Sequence, residues 1–331
     1  MTSQQMIVAD IGGTNIRIAL ANHQPCTQAF SYLLEVETKA YKSLSQVIDY
    51  YLRVYLHTQG AGGIVNTISK ARIAVAGPPI PGDFMLTNTP FLVNTNELLK
   101  RSPIQDIQVV NDFEAQAMAL PYLSKEDKYT LQKGHLNPQG NISVLGPGTG
   151  LGVAFLTYDE GTGYRVHPTE AGHTSFSPYD EITFGLHQFL STRYDHVSNE
   201  RLCSGQGLEN IYEYLSGQRL EAQAIGQAAI YDEDTQSLKT IHLFFEILGH
   251  FAGNTALQHQ ASGGVYISGG VFTKLQDTLD LKAFLHRFNH KGRLRPFLES
   301  TPLYHVDRAH PALFGLALWG SNHLNRTAAV V

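Results

Sequence analysis

Asp10-Ile11-Gly12-Gly13-Thr14-Asn15 and Gly146-Pro147-Gly148-Thr149-Gly150-Leu151-Gly152 decide the reading of this chain. The first stretch is entered from Ile7-Val8-Ala9 and left through Ile16-Arg17-Ile18-Ala19-Leu20. The second lies between Ile142-Ser143-Val144-Leu145 and Val153-Ala154-Phe155-Leu156. Glycines turn the backbone tightly and aim its N–H groups outward, and a threonine hydroxyl adds a donor, so such a turn can cradle a phosphate. Taken singly, each is also an ordinary hairpin signal. The two readings are compatible, since a hairpin tip can hold a phosphate. Asp10 favours the phosphate, because a carboxylate ending a buried strand is costly without a partner such as a metal-bound water. Repetition favours it further: one turn in each half suggests a nucleoside triphosphate gripped between two similar lobes.

At 331 residues the chain can form one large or two medium domains. Hydrophobic residues make up 43% and charged residues 16%, a balance that supports a sizeable core. The formal net charge of -5 gives no electrostatic ground for a nucleic-acid or anionic-membrane partner. Helix-turn-helix and zinc-finger patterns do not occur. The two cysteines, Cys26 and Cys203, are far apart and lack a metal-type spacing. This argues against a disulfide framework or structural zinc and for a reducing compartment. Met1-Thr2-Ser3-Gln4-Gln5 has no basic n-region, and no apolar run is long enough to span a bilayer. The expectation is a soluble, cytoplasmic protein.

Along the chain, the first hairpin is followed by a helical stretch from Leu44 to Leu56 and a buried strand at Ile73-Ala74-Val75-Ala76. Ile107-Gln108-Val109-Val110 is a further strand, after which Phe113, Ala117 and Leu120 recur at helical spacing. The second half starts over with the Gly146 hairpin. A loop-rich segment, His167 to Asp180, precedes a helix from Ile182 to Tyr194. Ile241 to Leu257, apolar on almost every side, reads as a buried helix, with Gly249 and Gly253 on one face permitting close approach. Val265-Tyr266-Ile267-Ser268 is a strand ending in Gly269-Gly270, and a last helix from about Pro311 to Leu324 should pack back on the first domain. Strands and helices alternating in this order imply an α/β architecture.

Chemistry gathers at three places. Asn111-Asp112 lies where a strand gives way to a helix. An N-cap role suits both residue types. A carboxylate at a strand's C-terminal end can also accept a hydroxyl proton as the hydroxyl attacks a phosphoryl group. His167-Pro168-Thr169-Glu170-Ala171-Gly172-His173 brings a carboxylate and an imidazole into one loop. That pair is either solvated or built for the mixed donors and acceptors of a polyol. Glu200, beside Arg201, has the same two readings. A Walker A loop, a Rossmann fingerprint, a zincin motif and a protein-kinase catalytic loop are all missing.

With these residues assembled, the chain resembles the bacterial glucokinases, of the hexokinase and actin-like ATPase superfamily, over nearly its full length. The matching runs are Asp10 to Asn15, Thr87-Asn88, Asn111-Asp112-Phe113, Gly148 to Gly152, Glu170 to His173, His196 to Leu202 and Gly263 to Gly270. The resemblance implies an α/β protein with two lobes of the actin-like ATPase (ribonuclease H-like) fold and a cleft between them. It implies a small domain of residues 1–121 plus 308–331 and a large domain of residues 122–307. The implied reaction is ATP-dependent phosphorylation of glucose at its 6-hydroxyl. By the same resemblance Asp112 is the catalytic base, and Asn88, Asn111, Asp112, Glu170, His173 and Glu200 contact the sugar. Ala9, Asp10, Ile11, Gly12, Gly13 and Thr14 form the first phosphate loop and Gly148 and Thr149 the second, with Gly269 and Gly270 near the adenosine. Mg²⁺ is implied, reached by Asp10 through water.

One departure is local: the family's Gly-Glu-Gly-Gly-His reads Thr169-Glu170-Ala171-Gly172-His173, which keeps both polar groups and stiffens the loop. The cysteine-rich zinc motif of the repressor–kinase branch cannot be made from two distant cysteines, so no zinc is expected. A kinase for another hexose, a catalytically silent sugar sensor and an ATP-driven filament or chaperone stand as alternatives, and a homodimer is left open.

Overall fold

A computed structural model describes residues 5–21, 29–77, 82–86, 89–231 and 234–320. The chain divides into two compact units, Met1–Leu123 with Asp159–Val166 and Ala309–Val331, and Ser124–Tyr158 with His167–Arg308. The segment Asp159–Val166, inside the range expected for the large domain, groups with the first unit.

The first unit is built on a five-stranded sheet. β1 (Gln5–Ile11) and β2 (Asn15–Ala21) form the expected hairpin, in register from Ile11 opposite Ile16 to Met6 opposite Ala21. β1 is apolar on both faces from Met6 to Ala9 and is buried on both, as a central strand must be. β3 (Phe30–Glu37) pairs antiparallel with β2, and β4 (Ile68–Val75) runs parallel to β1. A two-stranded ribbon of β5 (Phe84–Met85) and β6 (Leu92–Val93) follows, before β7 (Asp106–Asn111) adds in parallel beside β4. The order is β3-β2-β1-β4-β7.

A six-stranded sheet repeats this plan, its residues grouping with the second unit except Asp159 of β10 and residues 163–166 of the edge strand β11. Its strands are β8 (Lys128–Gln132), β9 (Ile142–Pro147), β10 (Leu151–Asp159), β11 (Gly163–Thr169), β12 (Val265–Ile267) and β13 (Leu303–Val306). Their order is β11-β10-β9-β12-β13-β8. The β9–β10 hairpin is antiparallel, β12 and β13 follow β9 in parallel, and β8 closes the edge antiparallel to β13. A hairpin-led run of three strands followed by two parallel ones, made twice, is the doubled sheet of the actin-like ATPase fold.

The helices follow the apolar periodicity with two informative exceptions. The stretch read as one helix from Leu44 to Leu56 is α-helical over Leu44–Tyr50, widens to a π-turn over Tyr51–Tyr55 and closes over Leu56–Thr58. Tyr51 and Tyr55 lie in the widened turn, and their hydroxyls donate to the carbonyls of Tyr32 (2.8 Å) and Leu33 (2.7 Å). Those carbonyls belong to an irregular part of β3, where Tyr32 has φ 52. The segment read as loop from His167 is still strand through Thr169. His167 stacks on Phe155 of β10 at 4.7 Å and meets the Thr157 hydroxyl at 2.9 Å, a cross-strand pairing that polar composition conceals.

The buried helix extends over Thr235–His259, and a side chain at Gly249 or Gly253 would meet the carbonyls of Phe284 and Phe288 on helix Leu281–Asn289. Helix Pro311–Gly320 packs on helix Asp112–Ala119, where Gly315 lies against the Ala115 carbonyl. Its expected end at Leu324 lies outside the described residues. Among the described residues no helix is long and apolar enough to cross a membrane.

Candidate active site

In the first unit, strand register sets the geometry. Ile11 of β1 lies opposite Val75 of β4, which in turn lies opposite Asn111 of β7. The Gly12–Thr14 tip and the Asn111-Asp112 step therefore leave the same carboxyl edge, two strand spacings or roughly 10 Å apart. That edge is where open α/β sheets bind ligands. Asn111 is the N-cap of helix Asp112–Ala119: its Oδ1 accepts from the N–H groups of Phe113 (2.8 Å) and Glu114 (3.3 Å). Its Nδ2 donates to the Gly77 carbonyl at 3.0 Å, which fixes the amide plane. The Phe113 N–H also reaches Asp112 Oδ1 at 2.9 Å, so one end of that carboxylate is steered by the helix start.

Asp10 sits opposite Arg17 in the hairpin, with Arg17 Nη1 3.7 Å from its Oδ2. Burial pushes the Asp10 carboxyl above its usual pKa, opposed by the nearby guanidinium. Arg17 holds Glu35 more closely, at 2.7 Å. The cost of burying Asp10 is thus met in part by a cation within its own sheet, Arg17.

The second unit gathers more. Leu151 N–H, at the return of the Gly146 hairpin, donates to Glu200 Oε2 at 2.9 Å. Gly205 N–H donates to the Gly148 carbonyl at 2.9 Å, so the segment from Glu200 to Gly205 grips both sides of the tip. Ser204 caps helix Gly205–Ser216 through Gly207 N–H and donates its hydroxyl to the Glu200 carbonyl at 2.8 Å. Gly269 has φ +145, and a side chain there would come 2.5 Å from the Pro147 carbonyl; only glycine fits. Gly269-Gly270 therefore stands directly beside the hairpin, on β12's carboxyl end.

The polyol candidates come together in this unit. His173 Nε2 is 3.9 Å from Glu170 Oε2 and 3.9 Å from Glu200 Oε2. Glu170 precedes the turn Ala171–His173, which His173 ends, and Glu200 lies in the turn Asn199–Arg201. Asn199, buried, joins the two turns: its Nδ2 donates to the Thr174 carbonyl (2.9 Å) and hydroxyl (3.0 Å). Thr169, at the family departure, donates its hydroxyl to the Val153 carbonyl at 3.0 Å and accepts from Ala171 N–H at 3.2 Å. The substituted residue stitches the loop to β10.

Asn88 lies outside the described residues, as does Cys26. Sequence reasoning missed Thr38, Asn199 and Ser204, which act on motif residues through backbone groups. Ser204 alone left a legible trace, as a serine ahead of an apolar helical pattern. Among the described residues no cluster of three or more His, Cys, Asp or Glu could hold a metal ion.

The comparisons with known proteins bear on the whole chain. The family model described as Glucokinase matches residues 7–323. The chain belongs to the glucokinase family. A curated glucokinase of Colwellia psychrerythraea is 35% identical over 327 residues, covering 95% of each sequence. Among solved structures, a glucokinase from an Antarctic psychrotroph superposes with a TM-score of 0.81 at 30% identity, covering 95% of this chain and 98% of that one. At 16% identity, a ROK family glucokinase from Streptomyces griseus in complex with glucose and AMPPNP shares the fold, with a TM-score of 0.61 over 95% of this chain and 98% of that one. Family membership makes this glucokinase-family chain an enzyme, a glucose kinase.

Proposed function

We propose that this enzyme transfers the γ-phosphoryl group of ATP to the 6-hydroxyl of glucose. The observation that carries the reading is the 2.9 Å hydrogen bond from Leu151 N–H to Glu200 Oε2. It fastens a sugar acceptor to the tip of a phosphate hairpin and commits one carboxylate oxygen, leaving Oε1 to accept from a sugar hydroxyl. Glu170 adds a second carboxylate acceptor, and His173, close to both, adds a polar contact of its own. Asn111 holds its helix start and presents its amide beside Asp112. Asp112 orients the sugar hydroxyl and takes its proton as the new O–P bond forms and the bond from the γ-phosphorus to the ADP oxygen breaks, releasing ADP.

The two hairpins supply N–H groups and the Thr14 and Thr149 hydroxyls to the phosphate oxygens, and Gly269-Gly270 flanks the adenosine side. The residues fit Mg²⁺ held chiefly by the nucleotide. Asp10 is a largely buried carboxylate whose ion pair with Arg17 is long, at 3.7 Å, which suits it to a metal ion that keeps most of its waters. When bound, that ion would supply charge neutralisation for the transferred group.

Asp112→Asn keeps shape and helix-start geometry while removing the proton acceptor. Turnover should fall by about 10²–10⁴, and glucose binding measured by calorimetry should persist. Near wild-type turnover at full sugar occupancy would remove Asp112 from this role. A coupled assay with a panel of hexoses separates glucose from its epimers as the substrate.

A further inference from the structure

Thr38 lies 26 residues from Gly12 in sequence and belongs to none of the recognised motifs, yet it is almost completely buried, at 1% exposure, behind the first hairpin. Its hydroxyl donates to the Gly12 carbonyl at 2.7 Å, and its backbone N–H donates to the Thr14 carbonyl at 2.8 Å. The tip closes on itself through Gly12 N–H and the Asn15 carbonyl at 3.0 Å. Gly13 and Thr14 are exposed between these ties.

A peptide turn attracts an anion only when its carbonyls face away, since a carbonyl oxygen turned toward a phosphate repels it. Peptide planes are rigid, so fixing a carbonyl on one side fixes the following N–H on the other. The Gly12 carbonyl is in one plane with the N–H of Gly13. Drawing that oxygen back onto the Thr38 hydroxyl aims the Gly13 N–H outward at the tip. The Thr38 N–H does the same through the Thr14 carbonyl and the Asn15 N–H.

We infer that Thr38 is a positioning residue for nucleotide binding, which holds the first hairpin in its anion-accepting form before ATP arrives. The inference rests on the proposed role of the hairpin and adds to it a residue that touches no substrate. A bare structural role, satisfying a buried hydroxyl, would make Thr38 matter for stability alone.

Thr38→Val keeps the shape and the backbone N–H and removes only the hydroxyl donor; Thr38→Ser restores that donor. In Thr38→Val the KM for Mg·ATP should rise about five- to tenfold, the equivalent of one lost hydrogen bond. The KM for glucose should stay within about twofold, and Thr38→Ser should return the Mg·ATP value toward wild type. Calorimetric titration with Mg²⁺ and AMPPNP should show the same loss without turnover. A Thr38→Val protein that melts earlier but keeps its Mg·ATP constants would overturn the inference, as would an equal rise in both KM values. Gly13→Val serves as the control. If it loses nucleotide while Thr38→Val does not, Thr38 is only structural and the hairpin's role stands. If Gly13→Val also binds normally, the reading of the hairpin itself is wrong.

Discussion

The Gly12–Thr14 hairpin is anchored from β3's end, by Thr38, whereas the Gly146–Gly152 hairpin is anchored by the groups proposed to hold the sugar. Gly205 holds the second tip's carbonyl side, Glu200 holds its return strand, and Gly269 is pressed against its entry. Gly172, within the Glu170–His173 turn, lies directly on the Leu151 carbonyl. The same short glycine motif thus serves in two designs. The first hairpin, proposed as a phosphate cradle, is anchored independently of the sugar-side groups. The second is shared structure, in which the groups proposed for the nucleotide and for the sugar are bonded to each other. Damage to the first should stay on the nucleotide side, and damage to the second should spread.

The largest effect is expected at the joint of the shared design. Gly269→Ala forces a side chain into the Pro147 carbonyl at a φ of +145. A cost of about 3 kcal/mol in stability should follow, with activity lost, and a denaturant titration measures it. Wild-type stability would mean that the hairpin's entry is looser than its geometry. A smaller and more selective effect is expected from Glu200. In Glu200→Ala both the Leu151 N–H and the sugar lose their acceptor, so KM values for glucose and Mg·ATP should both rise, each about tenfold or more. In Glu200→Gln the amide oxygen can still accept from Leu151 N–H, so the Mg·ATP value should stay within about twofold while the glucose value rises about tenfold. Steady-state kinetics with each substrate varied would check the pair. A Glu200→Ala enzyme impaired for glucose alone would break the claim that the second hairpin is shared.

Much of this arrangement was legible in the chain. Short apolar runs broken by Gly-Thr turns located both hairpins, and Asn111-Asp112 was readable as a helix cap and as the place for a proposed base, because both roles use the same strand-to-helix step. Glu170, His173 and Glu200 were visible as residue types in motif order, but their meeting at 3.9 Å depends on two turns joined by Asn199. Such a junction has no signature, since a side chain bonding a distant carbonyl leaves no periodicity. Thr38 was hidden for the same reason. Asp10 shows the opposite case: the sequence correctly marked a buried carboxylate in need of a partner, yet Arg17, seven residues on, was its nearest cation once the register was known. The π-turn at Tyr51–Tyr55 was hidden because apolar spacing alone does not distinguish a widened helix from a regular one.

Both hairpins are proposed to hold the same nucleotide, and every other role follows from that. A side chain at Gly13 would meet nothing within 4 Å, and one at Gly148 would meet only the Gly150 carbonyl at 3.9 Å, so Gly13→Val and Gly148→Val should fold normally while crowding the phosphate. The direct measurement is a calorimetric titration of each variant with Mg²⁺ and AMPPNP, with circular dichroism to verify the fold. The expected result is that each substitution alone weakens binding about tenfold or more. Wild-type affinity in either folded variant would contradict it, leaving that hairpin a turn and nothing else.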